Sequence, residues 1–161
     1  MENRASRLIH AINKLPESFS NAILSIGFGF VAKIFGTTGI RVRSIKQDQV
    51  ELYLPNRKKV RNHFGTVAAG VAILHAETAS GIVMGMNVPD NCLPVLKSVQ
   101  FNFPKRMHGG LTATSWLTDK QLEQIKNSDK GEMIVQTRII DDSGREPVNG
   151  SFTWAWIPKS R

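Results

Sequence analysis

One cysteine in the whole chain, Cys92, leaves no intramolecular disulfide framework to staple a fold, and a reducing cytoplasm is the compartment that fits most simply. That thiol stands beside a Pro89-Asp90-Asn91 turn with no supporting context for a nucleophile, so it reads as a loop or half-buried side chain. The four histidines, His10, His63, His75 and His108, fall at no metal-ligand spacing with one another or with Cys92, and no metal is expected. Proline, glycine and serine form no biased tract, which excludes a low-complexity segment. Acidic residues are scarce, 13 against 21 Lys and Arg, and the net charge of +8 favours a polyanionic ligand: nucleic acid, a membrane surface or a phosphorylated small molecule. The basic residues are dispersed apart from Arg57-Lys58-Lys59 and Arg61. Zinc-finger spacing, an aromatic RNA-binding signature and a recognition-helix pattern are all missing, so no nucleic-acid partner is expected.

An apolar run long enough to cross a bilayer is missing from the N-terminal segment as well. "NAILSIGFGFVAKIF", residues 21 to 35, follows Arg4, Arg7 and Lys14 in the manner of a signal sequence. Lys33 breaks it, no small-residue cleavage site closes it, and it falls well short of the ~20 apolar residues that span a membrane. An amphipathic helix packed on the domain is the first reading, and contact of that helix with a membrane surface the second. Residues 1–36 are therefore expected to form an N-terminal helical extension and residues 37–161 the main domain.

A chain of 161 residues holds one domain with a real core and is too short for two comfortable ones. "GIRVRSI" sets Ile40, Val42 and Ser44 on one side and Arg41 and Arg43 on the other. "VELYL" alternates Val50, Leu52 and Leu54 against Glu51 and Tyr53, and the polar turn Lys46-Gln47-Asp48 joins these two strands. A long apolar helix is predicted from about Val67 to Met86. Four strand-like runs follow, "VLKSVQFNF", "LTATSWL", "EMIVQTRII" and "GSFTWAWI", with the short polar helix "TDKQLEQIKNS" among them and "DDSGREP" as a hairpin loop. Sequential strands with short connections argue for an antiparallel sheet, and a helix apolar on nearly every face must be enclosed. The fold class expected is α+β: a curved antiparallel sheet wrapped around a long central helix, with an extra helix at the N-terminus.

The central helix holds one anomaly. Val71, Ile73, Leu74, Ala76, Ala79, Ile82, Val83 and Met84 cover its sides, and Glu77 sits among them. A carboxylate there costs desolvation unless it is paired, protonated or placed at an opening, and its pKa tends upward, which is one way of preparing a general base or acid. The plainer reading has Glu77 pointing to water at a sheet edge or bonded to its neighbours. At the mouth of the helix Thr66 is an N-cap candidate, and Ala68, Ala69 and Gly70 leave first-turn N–H groups open to a carbonyl oxygen that gains negative charge. The same small residues would also permit close packing of helix on sheet. Gly70 and Glu77, seven positions apart, share a helical face about 10 Å apart along the axis, too far for one reacting carbon to meet both within a chain. A two-fold dimer could bring a second copy's Glu77 beside this helix start. His75 points about 200° away from Glu77, so it reads as packing or a sheet-facing polar contact. His63, beside Asn62 in the turn before the helix, is better placed to meet a ligand.

With its Asn-x-x-Gly-Thr turn, small-residue helix start and acidic residue, "NHFGTVAAGVAILHAE" resembles the signature of hotdog-fold acyl-CoA thioesterases, most closely the phenylacetate-pathway type and a related group of bacterial hotdog proteins. The likeness covers roughly residues 38 to 158 by element order and is motif-specific over 61 to 81. It implies a hotdog fold and hydrolysis of an acyl-CoA by a homodimer or a dimer of dimers, with coenzyme A as part of the substrate and no separate cofactor. By position, Glu77 is expected as nucleophile or general base and Asn62 as the polar side chain that orients water or substrate. The N–H groups near Ala69 and Gly70 are expected to polarise the thioester carbonyl across a subunit boundary. His63, Gly65 and Thr66 in the turn are expected to bind substrate, with Arg61, Lys105 and Arg106 at the phosphates of coenzyme A. Many members have His-Gly-Gly at the helix start, where this chain has Ala68-Ala69-Gly70. A hotdog module that binds acyl-CoA or a lipid-like ligand without turnover is the alternative from a different class. A dehydratase acting on acyl carrier protein is the third, and that chemistry usually needs a histidine paired with the acid.

Overall fold

The alternating runs pair into one six-stranded antiparallel sheet with the apolar helix against it; the computed structural model describes residues 2–159. Strands β1 (Arg41–Ile45), β2 (Gln49–Leu54), β3 (Cys92–Asn102), β4 (Leu111–Trp116), β5 (Gly131–Asp141) and β6 (Val148–Pro158) lie in the order β1-β2-β4-β5-β6-β3. Helices α1 (Arg4–Ile12), α2 (Glu17–Val31) and α3 (Lys33–Thr38) precede the sheet, α4 (Ala69–Asn87) follows β2, and α5 (Asp119–Lys126) joins β4 to β5. The core forms where the period of two in the strands meets the 3.6 period of the helix. Val50, Leu52 and Leu54 of β2, Leu111 and Ala113 of β4, and Val135 and Ile139 of β5 are fully buried against Ala72, Ala76, Ala79 and Val83 of α4. Alanine on the inner stripe lets the helix axis come close, and the strands supply the bulk. Truncating a strand residue such as Leu52 to Ala would cost about 2–5 kcal/mol.

Several details differ from the sequence expectation, three of them for an identifiable tertiary reason, and the expected division at residue 36 falls inside α3. Helix α4 begins at Ala69 instead of Val67, because a bridge between Arg61 and Val67 and a 2.8 Å bond from the Ala68 N–H to the Val60 carbonyl keep the backbone extended through Ala68. In β1 a bulge between Val42 and Ser44 turns Ile45 into the core where Ser44 was expected. Cys92, read as a loop or half-buried thiol, opens β3 and is buried, its Sγ–H 3.1 Å from the Asp129 carbonyl, and that burial pushes its pKa up.

The two edges of the sheet are treated differently. The β1 edge is capped by polar side chains of the N-terminal helices: Asn13 Nδ2 donates to the Ile45 carbonyl (2.7 Å), Asn21 Nδ2 to the Arg43 carbonyl (2.7 Å), and Ser25 Oγ accepts from the Val42 N–H (2.8 Å). The packed face of α2 is therefore mixed, with these polar side chains beside the buried Leu24 and the half-buried Phe28. An edge strand demands hydrogen-bond partners, so α2 turns Ser20, Asn21 and Ser25 towards it together with Leu24 and Phe28, and points Phe19, Ile23, Ile26 and Phe30 outward. The β3 edge is left open, with Leu93, Val95, Val99 and Phe103 between 37% and 47% exposed.

Nor is α4 enclosed on every side. Six strands form an open sheet that covers one side of it, leaving Ala69 and Gly70 exposed and Leu74, Glu77 and Thr78 half-buried on the uncovered face. By length and composition α4 could cross a membrane, yet half of that stretch is buried inside the domain, where it forms the core.

Candidate active site

Asn62 organises the segment that leads into α4. Its Oδ1 accepts from the Phe64 N–H (3.0 Å), the Thr66 N–H (3.2 Å) and the Thr66 hydroxyl (3.2 Å). The Gly65 N–H closes the turn on the Asn62 carbonyl at 3.0 Å, and Gly65 itself adopts φ +75°, the left-handed region that glycine enters without strain. Two expectations change as a result. The oxygen of Asn62 is committed to the turn, so only its Nδ2 is free to face a ligand. Thr66 bonds Asn62 instead of capping α4, and the cap position falls on Ala68, which has no side-chain acceptor to offer. Among the described residues, neither the N–H of Ala69 nor that of Gly70 meets an acceptor, and both residues are exposed.

That helix start borders a cavity of about 360 Å³, lined by Asn62, Phe64, Thr66 and Ala69 and by Phe103, Lys105, Arg106 and Met107 from the loop after β3. Arg106 is fixed there by a 3.0 Å bond to the Phe64 carbonyl, with its guanidinium 5.9 Å from the centre of the Phe64 ring. Asn62, Thr66, Ala69, Lys105 and Arg106, all expected from sequence, therefore meet around one cavity. His63 does not line it: the ring is exposed and stacks on Phe64 at 3.9 Å. Arg61 is tied to Asn56 through Nε (3.0 Å) and Nη2 (2.9 Å), and Gly65 shapes the turn without lining the cavity. Phe64, Phe103 and Met107 were missed, although Phe64 lies inside the motif and Phe103 ends the strand-like run that leads into Lys105 and Arg106. A larger cavity of about 720 Å³ sits at the other end of α4, where Asn87 and Val88 meet Glu2, Asp90, Glu123 and Asp129. It gathers carboxylates and includes none of the expected site residues.

Glu77 stands on the uncovered face of α4, outside the smaller cavity. Among the described residues nothing pairs with its carboxylate, and burial raises its pKa. Its turn of helix is pinned to β6: the Ser80 hydroxyl donates to the Glu77 carbonyl (2.9 Å) and accepts the Trp154 indole N–H (3.0 Å). His75 is on the opposite side of α4, fully buried, with Nε2 3.1 Å from the Leu111 carbonyl and Nδ1 without a partner, and desolvation lowers its pKa to about 4. No group of three or more His, Cys, Asp or Glu among the described residues could hold a metal ion. The site thus offers free N–H donors and cations beside apolar side chains at the start of α4, and a proton-hungry carboxylate about two turns further on.

A long helix laid on an open antiparallel sheet of this strand order is the hotdog fold. Solved structures similar to the chain include a probable thioesterase from Pseudomonas aeruginosa, 17% identical over 90% of this chain and 97% of that one, with a TM-score of 0.77. A thioesterase from Haemophilus influenzae is 16% identical over 89% of this chain and 92% of its own, with a TM-score of 0.67. At such identities the likeness is one of fold. The chain belongs to the family described as a domain of unknown function, DUF4442, whose profile matches residues 20–157. No curated protein matches the sequence.

Proposed function

We propose that the protein is a homodimeric hydrolase of acyl-CoA thioesters whose active sites are each shared between two subunits. The observation that carries this reading is the separation, on one uncovered face of α4, of an unpaired carboxylate from unpaired N–H donors. Both features suit acyl transfer, and one carbonyl cannot meet both in a single chain. The open β3 edge supplies the means of sharing. Two β3 strands paired about a two-fold axis would bury Leu93, Val95 and Val99 and bring Glu77 of the partner subunit towards this subunit's Ala69.

In that arrangement the thioester oxygen accepts from the Ala69 and Gly70 N–H groups. Ionised Glu77 takes a proton from water as the water oxygen bonds to the carbonyl carbon. The tetrahedral intermediate collapses, the C–S bond breaks, and protonated Glu77 returns its proton to the coenzyme A sulfur. Lys105 and Arg106 fit the phosphates of coenzyme A, while Phe64, Phe103 and Met107 fit the apolar part of the substrate. Asn62 is a positioning residue, since its oxygen holds the turn that presents the helix start. A second reading, binding without turnover, is favoured by Ala68 at the cap and by His63 lying outside the cavity, because no imidazole reaches the site.

Free-thiol release from short, long and aromatic acyl-CoAs, measured on the native chain and on Glu77→Gln, separates the two. Turnover that falls at least a hundredfold in the variant supports the hydrolase. Turnover indifferent to Glu77 overturns the mechanism. Heat stabilisation by an acyl-CoA with no turnover in either form selects the binding protein.

A further inference from the structure

We infer that the outer face of α2 is a docking surface for an anionic membrane. Phe19, Ile23, Ile26 and Phe30 follow one another at i, i+4, i+7 and i+11 and form a stripe about 17 Å long on the side turned away from the domain. Phe30 is 82% exposed and Val31 86%, and Ile34 of α3 extends the patch. Helices of soluble domains bury such a stripe. Here the inner face is occupied with the hydrogen bonds of the β1 edge, made by Asn21 and Ser25, so the apolar face is left for another occupant.

Charge selects that occupant. No ionisable residue lies between Glu17 and Lys33, so nothing on α2 beyond its first turn opposes entry into an apolar phase. From residue 18 to residue 47 the chain carries four cations, Lys33, Arg41, Arg43 and Lys46, and no anion. Arg41 and Arg43 stand exposed on β1, the strand that α2 caps, with Arg43 4.0 Å from Glu51 and over the Tyr53 ring. A second copy seated on this face would bring two basic rims together, whereas anionic headgroups would neutralise them. A helix of 15 residues, about 22 Å long, is too short to span a bilayer and suited to lying in its interface. This inference stands on α2 and its rim and does not rest on the thioesterase reading.

The test is flotation of the full chain with vesicles of phosphatidylcholine alone or mixed with phosphatidylglycerol. Binding to the mixed vesicles, weakened by added salt and by Lys33→Glu/Arg41→Glu, is the expected result. In Ile26→Asp/Phe30→Asp, two substitutions at exposed positions whose folding is checked by circular dichroism, binding falls roughly tenfold or more. Failure of the native chain to float with anionic vesicles overturns the proposal, as does undiminished binding by Ile26→Asp/Phe30→Asp. Light scattering that shows this variant dissociating to a smaller species, with vesicles ignored by both forms, would assign the face to a second copy instead and equally overturn it.

Discussion

Gly70 and Glu77 stand seven residues apart on the uncovered face of α4, about 10 Å along its axis. One has an N–H that no acceptor among the described residues takes up, and the other a carboxylate that no cation there balances. In the mechanism proposed above, a thioester carbon lies roughly 3 Å from its attacking atom and its oxygen about 3 Å from its donors, so this spacing would place the two halves of that chemistry in different chains. The proposed dimer uses the open β3 edge on one side of the sheet, opposite the capped β1 edge on the other.

Burial holds the Glu77 carboxyl above its ordinary value of 4.5. The folded chain therefore binds this proton more tightly than the unfolded chain, and stability falls as the pH rises from the unfolded pKa through the folded one. Glu77→Gln should melt above the native protein near pH 7.5 and lose that advantage below about pH 4.5. Thermal melts across this range check it, and a difference independent of pH would contradict it.

His75 works in the opposite sense. Its folded pKa of about 4 lies below the ordinary 6.5, so its contribution is intact above 6.5, declines as the pH drops below that value, and is lost once the pH passes below 4. The shift corresponds to about 3 kcal/mol at neutral pH. His75→Gln, which keeps an N–H able to reach the Leu111 carbonyl, should flatten the acid limb of the stability curve.

Asn62 holds the turn before α4 through its oxygen. Asn62→Ala should lower stability by about 1–2 kcal/mol in urea melts and lower turnover with it. Asn62→Asp keeps the acceptor and should restore the stability; turnover that stays low in this variant would place Nδ2 on the substrate.

The β3 edge yields a prediction on assembly. Val99→Asp puts a charge on the open strand and should give a monomer by light scattering, with acyl-CoA hydrolysis lost. A dimer that survives this substitution would move the interface elsewhere.

Much of the fold was legible because it rests on local pattern. The alternation of Val50, Leu52 and Leu54 and the apolar run from Val71 to Met84 declare a strand and a core helix without tertiary information. The orientation of α2 was not legible, since periodicity reveals two faces but cannot say which one meets the domain; the needs of the β1 edge decided it. The start of α4 depends on the Arg61–Val67 bridge, and the bulge that turns Ile45 inward depends on pairing with β2. Of the candidate site, Ala69 and Glu77 stood out by residue type and spacing, and Asn62 only through the family resemblance. Phe103 and Met107 did not, because only the return of the chain after β3 carries them to the helix start. The opening around Glu77 depends on a sheet that stops short of closing, which no local pattern records.

Subunit complementation tests the shared site most directly. Glu77→Ala removes the carboxylate, and Ala69→Pro removes one of the two first-turn N–H donors at a helical position where proline is tolerated, after an Ala68 already extended at ψ 140°. Alone, each variant should turn over acyl-CoA at least about a hundredfold more slowly than the native chain. Mixed in equal amounts and allowed to exchange subunits, they should regain about a quarter of native turnover, because half the dimers then hold one site built from the unaltered half of each chain. A mixture as inactive as its components, with heterodimers confirmed by mass, would place carboxylate and donor in the same subunit and contradict the site proposed for this protein.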